Sequence, residues 1–141
     1  MKRSEFKLSE INIGDIVEAE YNSGTYIGKI IEDRRNFFLV EVLAVKKHPM
    51  QGDLHNRGEV EGVAFHERKA LAYREKMNAR KRTIKPFKGE IPNYRESLKN
   101  AVEEFRNLLL SEDTPFHQKS MEKLKLLEKH YYEKIFYQNS S

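Results

Sequence analysis

The sequence predicts an α+β protein, a small five-stranded SH3-like β-barrel followed by a C-terminal antiparallel helical hairpin. Three observations lead there. Apolar residues alternate with period two through much of the first ninety residues, turn-forming residues punctuate that alternation at short intervals, and from "EIPNYRESL" onward the apolar period changes to 3.6. The division expected is a loose N-terminus at 1–10, a barrel at 11–90 carrying a long loop at 46–68, and a two-helix hairpin at 91–138 packed on the barrel.

The first element is "DIVEAEY", which sets Val17, Ala19 and Tyr21 on one face and Glu18 and Glu20 on the other. "NSG" is a turn with Gly24 available for positive φ, and "TYIGKIIEDR" resumes as a β-branched run, so residues 15–34 read as a hairpin. After the turn "RRN", the stretch "FFLVEVLAVKKH" is apolar on both faces, Phe38, Val40, Val42 and Ala44 against Phe37, Leu39, Leu43 and Val45. Such a strand is covered on both sides, here by the barrel core and a packed helix. Pro49 ends it by removing a backbone donor, and Gly52 and Gly58 mark the long connection. "ALAYREKM" is the fourth strand, "NARKR" a polar turn and "TIKPF" the fifth strand.

Asn93 and Glu96 have capping-box spacing, so a first helix starts there with Leu98, Ala101, Val102, Phe105, Leu108 and Leu109 on its buried stripe. Lys99, Glu103, Glu104 and Arg106 face outward. "SEDTP" breaks that helix, and Thr114 with Pro115 starts the second, whose buried face is Met121, Leu124, Leu127, Tyr131 and Ile135. On that phase Tyr132, Phe136 and Tyr137 lie off the stripe, an aromatic surface suited to a partner or to self-association. "QNSS" is a second loose end.

Composition bounds the functions available. At 141 residues the chain suits one compact domain with an appendage, or two small units sharing a core, and excludes a large enzyme. Hydrophobic residues at 38% suffice for a modest core beside 34% charged residues. The absence of cysteine rules out disulfides, zinc-thiolate centres, cysteine nucleophiles and lipid carried on cysteine. "MKRSEFKLSEINIGD" lacks the apolar core of a signal peptide, and no stretch approaches the roughly 20 apolar residues of a membrane span, so a cytoplasmic protein is expected. The net charge of +4 is concentrated: from Arg68 to Lys88 there are nine basic residues and one acid, Glu75. Arg74, Lys76, Arg80, Lys81 and Arg82 form the basic patch, either a solvated face or a place for an acidic partner.

"KKHPMQGDLHN", with "FHERKAL" close behind, is the segment richest in chemistry. Three of His48, Asp53, His55 and His66 are enough to ligate a divalent metal, but no His-x-His or His-Glu-x-x-His spacing brings two of them to one point. No serine or threonine sits in a nucleophile elbow and no glycine loop cradles phosphate, so neither a catalytic residue nor a cofactor or small-molecule substrate is assigned. A shaped clasp accounts for more of the residue types. Pro49 fixes φ, Gly52 permits a left-handed turn, Asp53 and Asn56 satisfy free N–H groups, and His55 and His66 form a buried network tying the loop to the next strand. The candidate interaction surface is His48, Pro49, Gln51, Gly52, Asp53, His55, Asn56, His66 and Arg68.

"HPMQGDLHN" followed by "FHERKALAYRE", then "PFKGEIPNYRESLKNA" and "TPFHQKSMEKLKLL", resembles the kinase-associated protein B family of endospore-forming bacteria from Gly14 to about Tyr131. The resemblance implies an SH3-like barrel with a C-terminal helical hairpin, and a non-enzymatic activator of a sensor histidine kinase in the phosphorelay that starts sporulation. That family is often described as a lipoprotein, whereas this sequence has neither a signal peptide nor a cysteine to carry lipid, so membrane association would run through a partner. The competing reading is a nucleic-acid- or ribosome-associated module, suggested by the basic stretch and Tyr73. A cage of Tyr21, Tyr26 and a neighbouring Phe for a methylated cation is a further alternative to simple packing.

Overall fold

The alternating runs of the first half form a five-stranded antiparallel sheet in the computed structural model, which describes residues 10–137. The loose ends expected at 1–10 and "QNSS" lie outside the described residues but for Glu10. The strands are β1 (Ile16–Tyr21), β2 (Gly24–Arg34), β3 (Phe37–Lys47), β4 (Lys76–Arg80) and β5 (Lys85–Pro86), in the order β4-β3-β2-β1-β5. The hairpin read at 15–34 is β1–β2, with Tyr21 opposite Gly24. Positive φ falls on Asn22 and Ser23 (46° and 71°) rather than on Gly24, as a two-residue turn matched to the right-handed strand twist requires.

Irregular pairing bends the long ladder. Between β2 and β3 the register shifts at Thr25/Tyr26, Ile27/Gly28 and Ile30/Glu32, and each unpaired extra residue kinks its strand and increases the twist. Gly28 lies at one of these shifts because the strands approach too closely for a side chain: a Cβ there would stand 2.5 Å from the Glu41 carbonyl oxygen and 2.5 Å from Val40 Cγ1.

The curled sheet expected as an SH3-like barrel does not close. Among the described residues β4 and β5 do not pair, and the sheet is open. A single-turn 3₁₀ segment, Lys81–Thr83, intervenes, and β5 is two residues long with Pro86 unable to donate to a ladder. One bond ties this turn to β1, Glu20 N–H to Thr83 Oγ1 at 3.4 Å. The fourth strand also sits later than expected. "ALAYREKM" is strand only at its last two residues, preceded by a turn with Arg74 at φ 70° and Glu75 accepting from Ala72 N–H, while much of "NARKR" is strand, Met77 and Ala79 pointing inward.

Helix α1 (Tyr94–Leu110) starts where Asn93 Oδ1 accepts from Glu96 N–H, and α2 (Pro115–Leu127) where Thr114 Oγ1 accepts from His117 N–H. Past Leu127 the chain winds one π-helical turn, Glu128–Tyr132, and continues as α3 (Glu133–Phe136). The wider turn delays the following residues by about one position. Tyr132 is therefore buried (1% exposed) and Tyr131 is 43% exposed, the reverse of the order a uniform 3.6 period predicts. Two further corrections fall on α1. Leu108 is exposed, and Arg106, expected outside, is partly buried in an ion pair with Glu128. That pair, with Leu109 beside Met121, shows the two helices running antiparallel.

Sheet and helices share one core, in which Val17, Ile30, Val40, Val42, Leu98, Leu124 and Leu127 are fully buried. Helix α1 lies against β3, where Ser97 Oγ accepts from Val45 N–H at 2.9 Å. Among the described residues no helix is long and apolar enough to cross a membrane.

Gly28→Ala is expected to lower stability by roughly 2–3 kcal/mol, because backbone and a fully buried valine must move to admit one methyl group. Urea unfolding checks this. A midpoint equal to the parent's would mean that the strands do not approach this closely.

Candidate functional site

The segment that follows β3 carries no regular structure until β4, so its backbone N–H groups need partners from elsewhere. The first anchor is His48, 2% exposed and stacked on Phe105 with ring centres 4.9 Å apart. Its Nδ1 lies 2.8 Å from the Pro49 carbonyl oxygen and its Nε2 lies 2.8 Å from the Tyr132 hydroxyl. A carbonyl only accepts, so Nδ1 carries the proton, and Nε2 accepts from Tyr132. The same hydroxyl oxygen accepts from Ala70 N–H at 2.9 Å. One phenol thus joins the start of the loop, its end and the C-terminal helix.

Gln51, also 2% exposed, performs the same task alongside. Its Nε2 donates to the carbonyls of Arg68 (2.9 Å) and Pro49 (3.2 Å), and its Oε1 accepts from Arg68 N–H (2.8 Å). Arg68 returns a bond from its guanidinium to the Gly52 carbonyl (2.8 Å), and Gly52 N–H donates to the His66 carbonyl (2.9 Å). Gly52 has φ 97° and its Cα faces the Phe65 ring at a distance a Cβ would overfill, so a side chain is excluded twice over. Two more tyrosines hold Leu71: Tyr26 Oη accepts from its N–H at 3.2 Å, and Tyr94 Oη donates to its carbonyl at 2.5 Å. Burial pushes the Tyr26 hydroxyl up to about 12, and those of Tyr94 and Tyr132 higher still, so all three stay protonated.

The clasp therefore forms, but with different members from those expected. His55 and His66 are exposed and their rings are not part of it. The buried histidine is His48, and its polar neighbours are Gln51, Tyr132, Pro49 and Ala70. Asp53 and Asn56 do cap the turn: Asp53 accepts from His55 N–H (2.9 Å) and from Asn56 Nδ2 (3.1 Å). The Asn56 amide and then the His55 N–H hold the Asp53 carboxyl below its usual range. Among the described residues no three His, Asp or Glu side chains gather where they could hold a metal ion.

The other proposed residues do not join the clasp. Arg74 pairs with Glu41 (2.9 Å), whose carboxyl that hydrogen bond holds below the ordinary range. Lys81 pairs with Asp33 (2.5 Å) and lies over Phe38, Arg80 lies over Phe37, and Lys76 and Arg82 are exposed. Tyr132 belongs to the core instead of the aromatic surface expected of it, Phe136 is half-buried against it, and Tyr137 is 79% exposed. Tyr26 is buried as well, so no open cage with Tyr21 exists. Sequence reasoning missed the three tyrosine anchors, which lie 45, 23 and 62 positions from the loop groups they bind. The available signal was general: a core tyrosine needs a partner for its hydroxyl.

Burial pushes the His48 imidazole down to about 4 from 6.5, against a smaller upward pull from the Pro49 carbonyl. The unfolded chain then binds the extra proton more readily than the folded one between those limits. This stabilisation is complete above pH 6.5 and is lost as pH falls toward 4, a change of about 3 kcal/mol at most. Chemical denaturation across that window is expected to show the fall in the parent and a flatter profile in His48→Gln. Tyr132→Phe, which leaves His48 Nε2 and Ala70 N–H without their partner, should lose about 2–3 kcal/mol at pH 7. His55→Ala and His66→Ala should stay within about 0.5 kcal/mol of the parent, and a large loss in either would place its ring in the network after all.

Comparison with known proteins agrees with this architecture and with the signature loop. The family described as "Kinase associated protein B" matches residues 21–132. "Kinase-associated lipoprotein B" of Bacillus subtilis (strain 168) is 42% identical over 125 residues, covering 89% of this chain and 98% of that protein. The crystal structure of kinase-associated protein B from Bacillus cereus superposes with a TM-score of 0.73 at 40% identity, covering 86% of this chain and 97% of the other. With most of its length matched at that identity, the chain belongs to the kinase-associated protein B family.

Proposed function

We propose that this protein is a non-enzymatic regulatory adaptor that binds a sensor histidine kinase and raises its activity by protein–protein contact, in the phosphorelay that starts sporulation. Family membership supports the kinase, since the relatives are named as kinase-associated. The observation that carries the adaptor reading is the inward commitment of the signature loop. Its buried polar groups, His48 and Gln51, are used in internal bonds, and their effect is to fix the shape of an exposed segment from His55 to Glu67. A segment without secondary structure of its own whose two ends are tied together is a surface suited to recognition.

The strand order, with a 3₁₀ turn ahead of β5, supports an SH3-like arrangement, a scaffold that presents its loops at the ends of the sheet. Residues 11–90 and 91–138 act as one body on this reading, because β3 and α1 share the core. Contact with the kinase is made from the cytoplasmic side. The relative from B. subtilis is named a lipoprotein, whereas the 141 residues of this chain contain no cysteine for lipid attachment. The nucleic-acid reading is weaker, since Arg74 and Lys81 of the basic patch are neutralised by Glu41 and Asp33.

A pull-down with the cytoplasmic region of a sensor histidine kinase from the same organism, followed by an autophosphorylation assay, tests the proposal. Retention of the kinase together with faster autophosphorylation is expected. No retention, with unchanged autophosphorylation, would refute it.

A further inference from the structure

The β1–β2 turn, the end of β4 and the signature loop meet around an open cavity of about 450 Å³ whose lining includes Tyr21, Phe37, Leu54, Arg57, Arg80 and Arg82. The three guanidinium groups come from two stretches of chain, the loop and the end of β4 with the turn that follows it. Arg57 belongs to the loop and donates Nε–H to the Leu54 carbonyl at 3.2 Å, Arg80 ends β4 and lies over the Phe37 ring at 5.2 Å, and Arg82 sits in the 3₁₀ turn. Glu20 is the one carboxylate in the lining. None of the three arginines forms an ion pair among the described residues, whereas Arg34, Lys46, Arg74 and Lys81 elsewhere on the sheet and its turns are each matched to a carboxylate.

Unmatched guanidinium groups around a concavity focus positive potential there, and their planar forks suit carboxylates. Tyr21, Phe37 and Leu54 add apolar surface between them. The loop is held in place over this cavity: Met50 N–H donates to Ser23 Oγ at 2.9 Å, directly joining it to the β1–β2 turn. Outside the cavity Glu32 and Asp33 bind Arg34 and Lys81, so the free positive charge does not extend into a track for a run of phosphates.

We propose that this cavity docks an acidic peptide segment of a protein partner, with carboxylates on Arg57, Arg80 and Arg82 and a neighbouring apolar side chain against Tyr21, Phe37 and Leu54. The proposal deepens the adaptor reading and rests on it for the existence of a protein partner. The internal clasp then has a functional consequence, because it fixes Leu54 and Arg57 at the cavity rim.

The probe is a blocked Glu-Leu-Glu-Phe-Glu peptide titrated into the ¹⁵N-labelled protein and followed by NMR, with its Gln-Leu-Gln-Phe-Gln counterpart and a single-stranded oligonucleotide in parallel. Shift changes centred on Tyr21, Arg57, Arg80 and Arg82 with the acidic peptide alone, weakened about tenfold or more in Arg57→Gln/Arg82→Gln and unchanged in Lys76→Gln, are expected. Changes elsewhere, equal binding by the double arginine variant, or tighter binding of the oligonucleotide would overturn the assignment. The same variant in the kinase pull-down separates the two proposals. A kinase held equally by parent and variant removes the cavity and leaves the adaptor, while a kinase held by neither removes the adaptor and leaves the peptide titration to decide the cavity.

Discussion

A single buried phenol, that of Tyr132, holds together parts of the chain that no secondary structure connects. It donates to His48 Nε2 and accepts from Ala70 N–H, so the two ends of the segment between β3 and β4 are fixed to each other and to the C-terminal helix. Long segments without regular structure are uncommon in compact proteins, because their backbone groups compete for water. Here Tyr26, Tyr94 and Gln51 provide further partners, and every one of them is anchored in a packed element or buried beneath the loop. Removal of one partner leaves a desolvated group behind, which makes the network more sensitive than the net worth of its bonds suggests.

The helical hairpin is therefore more than an appendage to the sheet. Phe105 of α1 supplies the ring on which His48 stacks, Ser97 binds the end of β3, and the π turn rotates Tyr132 inward to meet the histidine. A uniform α-helix would direct Tyr131 there instead. Single π turns tend to occur where an extra residue serves a specific contact, and this one serves the bond on which the loop depends.

The strands of the first hairpin, β3 and both helix starts were legible in the sequence, because each has a local signal: Val17 and Ala19 alternating with glutamates, Pro49 ending a strand, Asn93 and Thr114 at cap positions. That internal polar bonds shape the loop was legible too, since proline, glycine and aspartate at that spacing describe a turn. What escaped were assignments that depend on distant partners. His48 reads much like His55 or His66 until Phe105 and Tyr132 are placed beside it, and Tyr132 reads as exposed until the π turn is known. The β4 boundary failed for a related reason: "ALAYRE" has strand-like composition, but Tyr26, Tyr94 and Tyr132 take the backbone groups of Ala70 and Leu71 that a ladder would have used. The barrel expected from the strand pattern stays an open sheet because Pro86 and a two-residue β5 cannot extend a ladder.

The central claim is that a neutral His48, protonated on Nδ1, is locked between Pro49 and Tyr132. Long-range ¹H–¹⁵N correlation of the histidine side chains measures this directly. The account predicts one imidazole with its proton on Nδ1 and a bare Nε2, unchanged from pH 8 down to about 5. A His48 ring protonated on Nε2, or one that titrates near its ordinary 6.5, would contradict it.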